Sequence, residues 1–91
     1  MEVEWTKPAL QQIKDIASYI ALDDPQTAYN WAESVIEKSY VIGRFPELGR
    51  KVLEGDDRNT REHFVGNYRL VYFIKPTKIY IMQITSVKQL R

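Results

Sequence analysis

The residue types that could do chemistry gather in a short strand-like stretch around the single histidine. Thr60-Arg61-Glu62-His63-Phe64-Val65 leads into Gly66-Asn67, and Tyr68-Arg69-Leu70-Val71-Tyr72-Phe73-Ile74 follows. Gly-Asn between two such runs is a two-residue hairpin signal, because glycine supplies the positive φ. That loop fixes the register: Val65 stands opposite Tyr68, Phe64 opposite Arg69, Glu62 opposite Val71 and Arg61 opposite Tyr72. One sheet face then carries Glu62, Phe64, Arg69, Val71 and Phe73; the other carries Arg61, His63, Leu70 and Tyr72. Glu62 and Arg69 become diagonal neighbours within reach of a cross-strand ion pair. The pair is either a plain salt bridge or a guanidinium held by a carboxylate and aimed at a phosphate or an acidic side chain. The planar five-donor fork suits both ligands. On the opposite face, Arg61, His63 and Tyr72 have the residue types of a metal-free ribonuclease. Such a reaction needs a base for the 2′-OH, an acid for the leaving 5′-oxygen and cations for the phosphorane charge. Histidine is the natural base near neutral pH. A lone strand histidine is nevertheless more often a rim or core residue than a catalyst.

The rest of the inventory excludes more than it offers. The chain has 91 residues, no cysteine and one histidine. That removes a disulfide framework, a thiolate nucleophile and Cys-ligated zinc or iron–sulfur sites, and it argues against a histidine-based metal site. No Walker loop, Rossmann glycine fingerprint, HExxH helix or nucleophile elbow is present. No metal and no cofactor is expected. The net charge of +1 conceals an asymmetry: residues 1–42 carry three bases and seven acids, residues 43–91 ten bases and five acids. The C-terminal half is therefore expected to present a basic target-binding surface made of Arg50, Lys51, Arg61, Lys88 and Arg91. Charge alone fits a nucleic acid or an acidic protein equally well.

The elements that must position these residues follow from periodicity. Val3 and Trp5 alternate with Glu2 and Glu4, the pattern of a half-buried strand. Thr6 caps a helix with Pro8 in its first turn, and Leu10, Ile13, Ile16, Ala17 and Ile20 form its apolar stripe. Asp24 and Pro25 start a second helix whose buried face is Ala28, Trp31, Ala32, Val35 and Ile36, with Gly43 as its stop. Phe45-Pro46-Glu47-Leu48-Gly49-Arg50 is loop chemistry, and a short strand is expected at Lys51-Val52-Leu53. Strands then follow at Thr60–Val65, Tyr68–Ile74 and Lys78–Thr85. One α+β domain spans residues 1–91: an N-terminal strand, a helical hairpin, then an antiparallel β-meander (β-α-α-β-β-β), with the helices on one sheet face. No apolar run approaches the ~20 residues of a spanning helix, and the first residues carry acids where a signal peptide carries bases. A cytoplasmic location without membrane contact is expected.

Strand Tyr68–Ile74 is almost continuously apolar or aromatic, so it belongs mid-sheet with both faces covered. If the helices cover one face, the other leaves Val71 and Phe73 as an exposed apolar surface, which usually marks a binding site. A tightly coiled sheet that buries both faces is the alternative.

Several segments together resemble the RelE/ParE toxin superfamily. They are the Val3-Glu4-Trp5 strand, Pro8-Ala9, Tyr19-Ile20-Ala21, Asp24-Pro25, Phe45-Pro46-Glu47-Leu48-Gly49-Arg50, Arg61-Glu62 and Gly66-Asn67-Tyr68-Arg69-Leu70-Val71-Tyr72. They run over essentially the whole chain in the expected order. The resemblance implies the toxin half of a bacterial type II toxin–antitoxin pair, often described as a plasmid stabilisation protein. A small antitoxin encoded beside it would neutralise it in a hetero-oligomer, at the apolar surface of Val71 and Phe73. The superfamily holds two activities: RelE-like members cut messenger RNA in the ribosomal A site, and ParE-like members poison DNA gyrase. Arg69 matches the arginine that RelE-like enzymes place on the scissile phosphate. Their preceding strand lysines have no counterpart here, where Thr60-Arg61-Glu62-His63 stands. Gln89 falls where their C-terminal arginine aligns, and Thr85-Ser86-Val87 stands where other members carry a histidine. The long helical hairpin and the Phe45–Arg50 loop look more ParE-like. The resemblance thus implies a growth-inhibiting toxin acting on gyrase by protein contact. The alternative is a ribosome-dependent mRNA endoribonuclease with altered catalytic residues, Arg69 with His63 or Glu62. A third is a non-toxic α+β binding module.

Overall fold

Both helices begin where a side chain replaces the missing backbone partner. Thr6 is extended (φ −70°, ψ 162°), and its Oγ1 accepts from the Ala9 N–H at 3.4 Å while donating to the Ile81 carbonyl at 2.9 Å. One hydroxyl thereby caps a helix and ties it to a strand 75 residues away. Asp24 accepts from the Gln26 N–H at 3.1 Å and from the Thr27 hydroxyl at 2.7 Å, and Pro25 follows in the first turn. Caps of this kind are worth about 1 kcal/mol each. The computed structural model describes residues 1–52 and 59–87. Its elements are β1 (Glu2–Trp5), α1 (Lys7–Ala21), α2 (Pro25–Arg44), β2 (Arg50–Lys51), β3 (Thr60–Val65), β4 (Tyr68–Ile74) and β5 (Lys78–Ser86).

The strands form one sheet in the order β1-β5-β4-β3-β2. β3, β4 and β5 make the antiparallel meander, and β1 lies parallel to β5 with Val3 opposite Ile79. The β3–β4 register is the one Gly66-Asn67 dictates, with Gly66 at φ 61°. β2 starts one residue earlier than expected, at Arg50, and Leu53 lies outside the described residues.

Ala9, Val35 and Ile42 of the helices meet Leu70, Tyr72, Ile79, Ile81 and Ile84 of the sheet, all fully buried. Burying side chains of this size stabilises the fold by about 1.5–3 kcal/mol each. Strict alternation cannot put both Ile81 and Ile84 on the helix face. A bulge does: Val71 pairs Gln83 while Tyr72 pairs Ile81, so Met82 is skipped and stays 44% exposed. The stripe of α1 is also rotated from the expected one, since Ala9 is its buried residue and Leu10 remains 42% exposed. On α2, Ala28 and Val35 are buried as expected, joined by Ser39 and Ile42, whereas Ile36 is 39% exposed.

Two expectations need correcting. Gly43 does not stop α2, which continues to Arg44 with no left-handed residue at its end. A Cβ on Gly43 would lie 2.7 Å from the Met1 carbonyl oxygen and 3.0 Å from Val3 Cγ2, so glycine is there to let β1 approach the helix. The apolar ribbon of β4 is also not open to solvent at Val71, which is 7% exposed. Val71 stands in the interior of the sheet, in a cross-strand row between Glu62 and Gln83, both longer side chains and near enough to pack over it. Phe73 is half-buried. Phe64 on this face stays open, at 45%.

Candidate functional site

The sheet face away from the helices is organised by one carboxylate. Arg50 lies opposite Glu62 across β2–β3, and Arg69 is diagonal to it across β3–β4. Arg50 Nε donates to Glu62 Oε2 at 2.6 Å, and Arg69 Nε donates to Oε1 at 2.5 Å. The diagonal pair expected from the hairpin register is therefore formed, with a second arginine added. Glu62 is buried, whereas the side chain of Arg69 is 26% exposed and that of Arg50 75%. A carboxylate can be buried here because both its oxygens are charge-paired. The Arg69 guanidinium, with help from Arg50, holds the Glu62 carboxyl below the usual carboxylate range. A group fixed in its ionised form and engaged at both oxygens has no proton to give near neutrality and little basicity to offer.

The other sheet face uses its polar residues for construction. His63 follows Glu62 in the strand and so points the opposite way, half-buried towards the helical layer. Burial, with a smaller contribution from the Lys38 charge on α2, pushes its imidazole pKa down. Arg69, Glu62 and His63, the candidate catalytic set, are not brought together: two are locked on one face and the third lies behind the sheet.

Tyr72 and Arg61 clasp the loop between α2 and β2. Pro46 occupies the second position of a turn closed by the Leu48 N–H on the Phe45 carbonyl at 2.9 Å. The fully buried Tyr72 hydroxyl accepts from the Gly49 N–H at 2.8 Å and donates to the Pro46 carbonyl at 2.7 Å. Burial raises its pKa. Arg61 Nη1 donates to the carbonyls of Gly49 at 2.6 Å and Glu47 at 3.4 Å. Its Nε is buried without a hydrogen-bond partner among the described residues. A Cβ on Gly49 would sit 2.5 Å from the Glu62 carbonyl oxygen, so only glycine passes there. The clasp commits Arg61 Nη1 to the loop and leaves this residue half-buried, whereas an exposed position was expected of it in the basic target-binding surface. Arg50 and Lys51 do lie exposed at the β2 edge, while Lys88 and Arg91 fall outside the described residues. No local sequence pattern specifies the clasp. Its signal was Pro46 and Gly49 in one loop, together with a tyrosine in a strand otherwise suited to a purely apolar residue. The clasped loop keeps Phe45 61% and Leu48 41% exposed.

Among the described residues, no group of three or more histidines and carboxylates is placed to hold a metal, and no helix is long and apolar enough to cross a membrane.

A family model described as the ParE toxin of the type II toxin–antitoxin system parDE matches residues 3–91. No curated protein sequence matches the chain. Among solved structures, the chain is similar to one from the chromosomal ParDE toxin–antitoxin system of P. aeruginosa. That match has a TM-score of 0.78 at 19% identity and covers 96% of each chain. The toxin–antitoxin complex RelBE2 from Mycobacterium tuberculosis gives a TM-score of 0.69 at 20% identity, covering 93% of this chain and 95% of that one. The conserved hypothetical protein HP0894 from Helicobacter pylori gives 0.56 at 17% identity, covering 100% and 99%. At such identities the likeness is one of fold.

Proposed function

The chain belongs to the family of ParE toxins of type II toxin–antitoxin systems, and from that premise we propose that it poisons DNA gyrase by protein contact and is held inactive by a small antitoxin. One observation favours contact over RNA cleavage. The residues that would cleave RNA are divided between two sheet faces, Arg69 beside Glu62 on one, and His63 towards the helices with Tyr72 in the loop clasp on the other. A general acid and base must converge on one phosphate, and this arrangement keeps them apart. The antitoxin is supported by the two similar structures that are toxin–antitoxin systems. Its docking area is the open sheet face, where Phe64 and Phe73 supply the apolar contact and Val71 is already buried. Gyrase and the antitoxin place the protein in the bacterial cytoplasm.

Inducing the chain in cells that lack its antitoxin tests the reading. Growth should stop with a DNA-damage response and intact messenger RNA. Transcripts cut at ribosomal A sites, with cutting abolished by Arg69→Ala, would establish the ribonuclease instead. Unimpaired growth would point to a non-toxic binding module.

A further inference from the structure

The Arg50–Glu62–Arg69 cluster carries more positive charge than its own carboxylate requires. One guanidinium would balance Glu62; among the described residues the second leaves the cluster with an excess of one positive charge. Both side chains are engaged through Nε, and Glu62 is the partner of each among the described residues. Glu62 is thus bonded through Nε alone, which leaves the Nη donors of both side chains uncommitted to it. Glu62 grips one fork with each oxygen and so fixes the two side by side, which lowers the entropy a ligand must overcome to be gripped by both.

We propose that Arg50 and Arg69, oriented by Glu62, receive an aspartate or glutamate side chain of the antitoxin, a deepening that rests on the antitoxin reading above. Three features favour a protein carboxylate over an RNA phosphate. Phe64 is directly cross-strand from Arg69 and 45% exposed, so an apolar seat adjoins the cationic one. Phe73 lies further along β4, two residues beyond Val71. The open face is also mixed in sign, for Glu4 stands on it, paired to Lys78 at 3.0 Å, in place of a continuing basic track. A polyanionic backbone needs such a track, whereas a segment mixing acidic and apolar side chains does not.

A mutant cycle between toxin and antitoxin tests this. Each Asp and Glu of the antitoxin is changed singly to Asn or Gln, and binding at fixed salt is measured to the wild-type chain, to Arg50→Ala and to Arg69→Lys. Arg50 is largely exposed, so the first toxin variant is expected to fold. One antitoxin acid should weaken binding to wild type by about tenfold or more, and to either variant by less than about twofold. Equal losses with all three toxins would overturn the proposal. A second arm uses the free chain, following the side-chain Nε and Nη resonances of both arginines against sodium acetate, with sodium chloride at equal ionic strength as control. Saturable shifts with acetate, lost in Arg50→Ala, support the receptor even if the antitoxin fails to bind, in which case only the partner assignment falls. Arg69-dependent binding of an oligoribonucleotide without any acetate response would overturn it.

Discussion

Replacing Tyr72 by phenylalanine removes one oxygen and two hydrogen bonds while leaving the buried ring in place. The Pro46 carbonyl loses a donor at 2.7 Å, and the buried Gly49 N–H loses its acceptor at 2.8 Å. A typical bond contributes about 1 kcal/mol net, and a stranded buried donor costs about 1–3 kcal/mol. Because no methylene is lost, no cavity term is added. The change should therefore destabilise the protein by about 2–4 kcal/mol, a large part of the ~5–15 kcal/mol of a small domain. At ~4–8 °C per kcal/mol for a chain of this size, the melting midpoint should fall by roughly 8–32 °C. Urea unfolding followed by circular dichroism gives the free energy, and hydrogen exchange at the Gly49 amide localises the loss. Burial raises the Tyr72 pKa above its ordinary value of 10.0. The stability tied to that shift is thus fully present below about pH 10, is lost as pH rises through the folded-state value, and should be missing from the variant. A loss under ~0.5 kcal/mol with unchanged Gly49 protection would refute the clasp.

Glu62→Gln leaves two guanidiniums without their anion; discounted for the solvent that reaches both arginines, the loss should be about 2–3 kcal/mol by chemical denaturation. Because Glu62 is held below 4.5 in the folded state, wild-type stability should decline as pH falls from about 4.5 toward the folded-state value, and the Gln variant should show a shallower decline. Gly49→Ala drives a methyl into the Glu62 carbonyl and should cost about 1–3 kcal/mol in the same measurement. His63→Gln should leave growth inhibition intact. The wild type, whose imidazole is held below 6.5, should lose urea resistance as pH falls from 6.5 toward the folded-state value, and the variant should lack that dependence.

Much of this architecture is legible in local patterns. Thr6 with Pro8 and Asp24 with Pro25 announce the helix starts, and Gly66-Asn67 announces a hairpin whose register makes Glu62 and Arg69 diagonal neighbours. What stayed hidden depends on contacts between distant segments. The parallel pairing of β1 with β5 joins the two ends of the fold, and nothing within Glu2–Trp5 specifies its partner. The bulge at Met82 breaks the period-two pattern, since Ile79, Ile81 and Ile84 all enter the core. Gly43 looks like a helix terminator in sequence, and only the approach of Met1 and Val3 reveals why a side chain is excluded. Arg61 looks like a surface cation until the Gly49 carbonyl is found 2.6 Å from its Nη1. Val71 looks exposed when strand faces are counted, but the counting omits the lengths of its row neighbours Glu62 and Gln83.

Non-enzymatic action on gyrase is tested most directly with two purified proteins. Adding the refolded or antitoxin-stripped chain to DNA gyrase and relaxed plasmid should block supercoiling in a dose-dependent manner, and His63→Gln should act as strongly as wild type. Undiminished supercoiling at saturating toxin, alongside Arg69-dependent cutting of messenger RNA on purified ribosomes, would contradict the account.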